Sequence, residues 1–356
     1  MIKKLIQKIR GLVALLAVSM TALNAATIGA SEPMAWRFAH PEAQILAGVD
    51  FRKLAETPDG KQIRDQFVAA LGAPILDQAE RLLMSSVVEA TGRRSDVLIL
   101  SGSFTLPQLR KMAMSEGAQM TPYKGLEIAA PAGAVAGDPH LAWITGPGGG
   151  TTVLIGTRPA IQAAAERSKA HVESMASVNR LFARARDLAQ YPVWVSCETI
   201  PQGFGPKEID SFIENGDAFD VGRLEGFDVG IQVGKPAGLN MWIWTATEAT
   251  ADVVLKQFQA GAAGKDRFAL SSWLPELKGS IENSTLVLGA PLAAGAVAER
   301  LGPLMAAFGL PVDVKAKAPP PPPPPPVSPA APPKKMFVRI EGMDDGLKDI
   351  PYTAKQ

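Results

Sequence analysis

Cysteine is nearly missing from this chain. Cys197 stands alone among 356 residues, which excludes an intramolecular disulfide and any metal site built from several thiolates. Set in VWVSCETI, it reads as a small buried residue on a strand; a reactive thiol or an intermolecular bridge is the competing reading. Histidine is almost as scarce, with only His40, His140 and His171, so nothing marks a thiol–imidazole pair. Excess charge of one sign is lacking too, since 36 Lys and Arg stand against 35 Asp and Glu. That balance, with no basic stripe, argues against nucleic acid as a partner. The short patterns of common hydrolases, Gly-x-Ser-x-Gly, His-Glu-x-x-His and Ser-x-x-Lys, do not occur. No catalytic, cofactor-binding or metal-binding residue is assigned, and no cofactor is expected.

What is present describes a globular protein. The apolar fraction is 47% and the charged fraction 20%, and the length suffices for one large core or two ordinary ones. Residues 1–30 carry four bases (Lys3, Lys4, Lys8, Arg10) and no acid. From Gly11 to Ala30 there is no charge at all, and Leu12–Met20 is the most apolar part. A basic start, a short apolar core and small residues make an export signal. An uncleaved anchor is the alternative, and only in that case would the chain touch a membrane. Either way the body is expected outside the cytoplasm, periplasmic or secreted.

The chain carries one stretch twice. Thr152–Arg167, TVLIGTRPAIQAAAER, returns as Thr285–Arg300, TLVLGAPLAAGAVAER, with Thr152/Thr285, Gly156/Gly289, Glu166/Glu299 and Arg167/Arg300 in register. Each copy reads as a strand, a glycine exit and an Ala-rich helix. The expected fold is therefore α+β. Two related halves, residues 32–190 and 191–310, would each pack a mainly antiparallel sheet with helices and together form one two-lobed module.

In the first half, strands are expected at Ala43–Asp50, Asp96–Gly102 and Tyr123–Ala130, and a hairpin at Leu141–Thr145 and Thr151–Gly156. The continuous run VLIL at Val97–Leu100 suits a strand covered on both faces. Helices are expected in two pieces over Phe51–Leu71, then at Leu76–Glu89, Leu106–Ser115, Pro159–Lys169 and Val178–Ala189. Thr105 and Gln108 stand at capping-box spacing before Leu106–Ser115. The run Gly146-Pro-Gly-Gly-Gly150 is the nearest approach to a phosphate loop, but it precedes a strand and lacks a lysine, so it reads as a hairpin turn. In the second half, strands are expected at Pro192–Thr199, Leu224–Val233, Leu239–Thr247 and Ser284–Leu288. Helices are expected at Lys207–Asn215, Ala249–Ala260 and Leu292–Phe308, with a helical turn at Ser272–Leu277. Trp242 and Trp244 lie two apart on a strand and so project from one face. They form either core or an aromatic platform for a glycan or protein, and they are the candidate binding residues.

Residues 311–335 form a linker with eight consecutive prolines, Pro319–Pro326. Such a run makes a polyproline II rod of roughly 25 Å at about 3.1 Å per residue. It is a stiff spacer, or a ligand for an aromatic groove or an attachment to wall polymers. Residues 336–356 form a tail in which Met336–Glu341 alternates like a strand before a turn at Gly342–Gly346. Twenty-one residues cannot bury a core alone. Glu341, Asp344 and Asp345 lack the alternating ligand spacing of a calcium loop.

The segments HPEAQILAGVDFRKL (His40–Leu54), DVLILSGSF…LRKMA (Asp96–Ala113), VLIGTRPAIQAA (Val153–Ala164) and FVRIEGMDDGLKDIP (Phe337–Pro351) resemble those of a family of uncharacterised exported bacterial proteins. The resemblance implies an exported two-half α+β module and carries no activity with it. Taken together, the expected function is a non-catalytic binding or scaffolding protein of the cell envelope, reaching an envelope protein or wall polymer through the proline-rich segment and tail. A small-molecule carrier with a cleft between the halves, and a hydrolase with dispersed catalytic residues, are the alternatives.

Overall fold

A computed structural model describes residues 34–71, 74–90, 92–145, 150–169, 174–198, 224–263, 278–293, 296–297, 336–340 and 348–352. The expected export signal, the helix at Lys207–Asn215, the turn at Ser272–Leu277 and the proline rod lie outside these residues. The chain divides into two compact units, Met1–Asp313 and Val314–Gln356.

The large unit is built on one antiparallel sheet of 12 strands, ordered β11-β12-β10-β9-β8-β1-β2-β3-β7-β6-β5-β4. Up to residue 190 its strands are β1 (Ile45–Asp50), β2 (Ala79–Val88), β3 (Arg94–Gly102), β4 (Gln119–Tyr123), β5 (Leu126–Ala130), β6 (Pro139–Thr145) and β7 (Thr151–Thr157). Beyond it come β8 (Val193–Cys197), β9 (Leu224–Gln232), β10 (Ala237–Thr245), β11 (Lys278–Glu282) and β12 (Thr285–Leu292). The two groups meet where β1 pairs with β8, Ile45 opposite Cys197, Ala47 opposite Val195 and Val49 opposite Val193. The small unit is a hairpin of β13 (Met336–Ile340) and β14 (Lys348–Tyr352), Met336 opposite Tyr352.

Strand alternation sends side chains to two separate cores. One face gathers Ile45, Ala47, Val49, Leu82, Met84, Leu98, Leu100, Val153, Ile155, Val193, Val195, Val229, Met241, Ile243, Leu286 and Leu288. It is covered by residues of α1 (Phe51–Ala55), α2 (Pro58–Leu71), α3 (Leu106–Ser115) and α7 (Glu248–Ala263). The other face gathers Leu46, Leu83, Val97, Ile99, Leu154 and Trp194 under a 3-10 turn at Met34–Phe38, α4 (Arg158–Arg167), α5 (Met175–Val178) and α6 (Arg180–Leu188). Burial on both sides is why β3 is an unbroken apolar run. Local signals set the helix ends. Thr105 and Gln108 form the capping box of α3, Thr157 caps α4, and Asn179 caps α6 while breaking it from α5.

The α+β character, the strands β1, β3, β6–β10 and the helices α1–α4 and α7 fall close to expectation. Four expectations need correction. Leu76–Glu89 is not a helix: it is a 3-10 turn at Pro74–Gln78 followed by the ten-residue strand β2. Eight of those ten residues are buried or half-buried between β1 and β3, which erases the two-residue alternation and leaves a pattern that also fits a helix. Tyr123–Ala130 is not one strand: Tyr123 ends β4, Lys124 and Gly125 with φ values of 45° and 86° turn the chain back, and β5 starts at Leu126. The helix expected over Val178–Ala189 runs from Arg180 to Leu188, because Asn179 caps it and leaves Val178 in the short α5. Leu292 closes β12, so the helix expected over Leu292–Phe308 does not begin there; 296–297 are helical and 298–308 lie outside the described residues, and strand β11 was not expected at all.

The centre of the sheet depends on glycine beside an aromatic ring. Gly48 on β1 and Gly230 on β9 flank Trp194 on β8. A Cβ on Gly48 would run into the Trp194 indole, and one on Gly230 into the Tyr191 ring. Gly48→Ala should destabilise the chain by about 1–3 kcal/mol in urea unfolding. Gly150→Ala, at a position with open space around it, should be nearly neutral in the same experiment.

Candidate functional site

Among the described residues, polar and aromatic groups converge on the face of the sheet crossed by α6, where β8, β9 and β10 run side by side. Trp242 and Trp244 on β10 both project there, as their spacing requires. Neither ring stands alone. Tyr191 packs against Trp242 with ring centroids 6.2 Å apart. The Trp244 indole N–H donates to Asp228 Oδ2 at 2.6 Å, and the Arg184 guanidinium lies 5.4 Å from the centre of its ring.

Asp228 is the hub. It sits on β9 and is 2% exposed. The Ser196 hydroxyl donates to Oδ1, Arg184 Nε donates to the same oxygen at 3.2 Å, and Trp244 takes the other oxygen. Four elements are thereby tied by one carboxylate. Arg184 also donates through Nη2 to the Cys197 carbonyl at 2.9 Å. That approach requires glycine at position 226, where φ is +145° and a Cβ would strike the Cys197 carbonyl. One turn before Arg184, Arg180 reaches Glu225 at 3.2 Å and Glu198 at 3.7 Å. These are exposed pairs and contribute little individually.

Such an arrangement holds elements together rather than attacking a substrate. The Ser196 hydrogen is already committed to a carboxylate, and no imidazole stands between them, so its oxygen is not activated. Cys197 projects to the opposite face and is fully buried. Burial, with the Asp228 charge adding to it, pushes its thiol well above the ordinary value, which suppresses the reactive thiolate. On that same face Arg94 Nε bonds Asp96 at 2.8 Å and Ser86 at 2.9 Å. Among the described residues no group of three or more His, Cys, Asp or Glu could hold a metal ion, and no helix is long and apolar enough to cross a membrane.

The sequence singled out Trp242 and Trp244 but not Asp228, Ser196 or Arg184. Two signals were available. Asp228 interrupts the apolar run Phe227–Ile231, and Arg180 and Arg184 recur four residues apart on a helix that buries Leu181, Phe182, Ala185 and Leu188. Comparison with protein-family models, with curated proteins and with solved structures finds no match to this chain.

Removing one member should expose how much the cluster bears. Asp228→Ala leaves Arg184 buried without its counter-charge and should cost about 3–5 kcal/mol; replacing both residues with apolar ones should cost less than the two single changes summed. Burial pushes the Asp228 carboxyl above its usual range, against the pull of Arg184, Ser196 and Trp244. The folded chain then holds that proton more tightly than the unfolded chain. The stability from this group is present at low pH and is lost as pH rises through the raised value. Urea unfolding across acidic pH should show that slope in the parent chain and its loss in Asp228→Asn.

Proposed function

We propose that this is an exported, non-catalytic scaffold of the cell envelope, a duplicated module that presents a proline-rich rod and a terminal hairpin to a partner protein or wall polymer. The observation that carries this reading is the seam between β1 and β8. A carrier would place its cleft between the halves, yet Ile45, Ala47, Val49, Val193, Val195 and Cys197 fill that junction and none exceeds 2% exposure. The polar cluster around Asp228 is likewise consumed internally. Export is supported by the basic and apolar start of the chain, and the resemblance in His40–Leu54 and Phe337–Pro351 agrees with it. The half-exposed rims of Trp242 and Trp244 are the aromatic surface that this reading offers a partner.

Duplication is supported by strand register as well as by the repeated stretch. Placing Thr152 on Thr285 puts Val153 on Leu286. Their neighbours across the sheet are Leu100 and Ile243, the next pair is Leu82 and Phe227, and the next is Val49 and Cys197. Two residues earlier on each strand, Ala47 falls on Val195, and these two are each other's partners. On this reading the halves would be related by a two-fold axis through that pair. The copies diverge after β7 and β12: α4 packs on the face of Trp194, whereas Ala296 and Val297 pack on the opposite one.

The test is capture from an envelope fraction by the full chain and by a chain ending at residue 310. The scaffold reading expects partners that are retained by the first and lost by the second. Recovery of the same partners by both would refute the role of the rod and hairpin.

A further inference from the structure

The 12-stranded sheet ends in two edge strands, and the chain treats them differently. At one end is β4, joined to β5 by the two-residue turn Lys124–Gly125. In a two-residue hairpin the flanking residues form the hydrogen-bonded pair, so Tyr123, Thr121 and Gln119 direct their backbone groups to β5. Met120 and Pro122 direct theirs outward. Proline has no N–H, and its position here closes the edge against a further strand.

At the other end is β11, joined to β12 by Asn283 and Ser284, with Asn283 at φ +57°. The same alternation turns Glu282, Ser280 and Lys278 toward β12 and leaves Gly279 and Ile281 facing outward. Both have an N–H to offer. Four of the five residues of β11 are exposed and Ile281 is half-buried. Among the described residues β12 is its only neighbour.

We infer that β11 pairs antiparallel with β11 of a second copy of this chain, about a two-fold axis at Ser280. Its sequence, KGSIE, is complementary to itself in that register. Lys278 stands opposite Glu282 of the second copy, and Glu282 opposite its Lys278, so two cross-strand ion pairs form. Gly279 stands opposite Ile281, with Gly279 N–H donating to the Ile281 carbonyl and Ile281 N–H to the Gly279 carbonyl, each bond made twice. On the face of the first core, Leu255 lies over Gly279, so each Ile281 is brought beside the apolar surface of the other copy. The contact is isologous and closed, and it removes the open edge of both sheets. With only five residues per strand the dimer is weak and depends on salt. This inference does not rest on the scaffold reading.

Sedimentation velocity of the full chain over a concentration series tests it. The parent is expected to pass from monomer to dimer, with association falling as salt is raised. Lys278→Glu sets acid against acid twice and should weaken association by about tenfold or more. Glu282→Lys should do the same, and the double change K278E/E282K should restore association, because it re-forms both pairs with their signs exchanged. Ile281→Pro should abolish the dimer while leaving the bonds to β12 intact. If that variant fails to fold, the charge exchanges at exposed positions decide the matter alone. A chain that stays monomeric throughout, a dimer indifferent to Lys278→Glu, or a double variant as weak as the single ones would each overturn the proposal.

Discussion

The pairing of β1 with β8 is the constraint on which the rest of the large unit depends. Five residues of each strand lie opposite one another, and there the strands before residue 190 join those after it into one sheet. Ala47 and Val195 occupy its middle. Its side chains divide between two cores, Ile45, Ala47 and Val49 going to one and Leu46 and Trp194 to the other. A strand so placed has no solvent-facing side. Small residues are demanded where a ring crosses it, as at Gly48 against Trp194.

Burial of the junction shapes the chemistry of the whole. Where the sheet is covered on both faces it cannot expose a polar group cheaply, so the buried carboxylate of β9, Asp228, is surrounded. Ser196, Arg184 and Trp244 supply the donors that Asp228 would otherwise take from water. The outcome is a strap between α6 and three strands. The binding roles we propose are accordingly placed at the edge strand β11 and in the segment beyond residue 310.

Sequence patterning made the fold legible wherever one periodicity dominated. Leu106–Ser115 was readable to the residue because Thr105, Pro107 and Gln108 mark its start, and β6 and β7 were readable because the glycine run separates them. Patterning failed where burial on both sides removed the alternation, as in β2. It failed again where a strand carries so little apolar content, as in KGSIE, that only its place beside β12 makes it a strand. The tryptophan pair was visible from spacing alone. Asp228 was not, since nothing in its own neighbourhood tells that Ser196, thirty-two residues earlier, and Arg184 converge on it. The polar partners of a buried charge come from separate elements, and their meeting is decided by the strand order.

The most direct test of a module fused through its centre, rather than two lobes bounding a ligand cleft, is native-state hydrogen exchange at Ile45–Val49 and Val193–Cys197. Fusion predicts that the protected amides of both strands exchange only through global unfolding, with one shared free energy equal to that measured by denaturant. Exchange of these amides through a lower-energy opening, while the strands on either side stay protected, would contradict it.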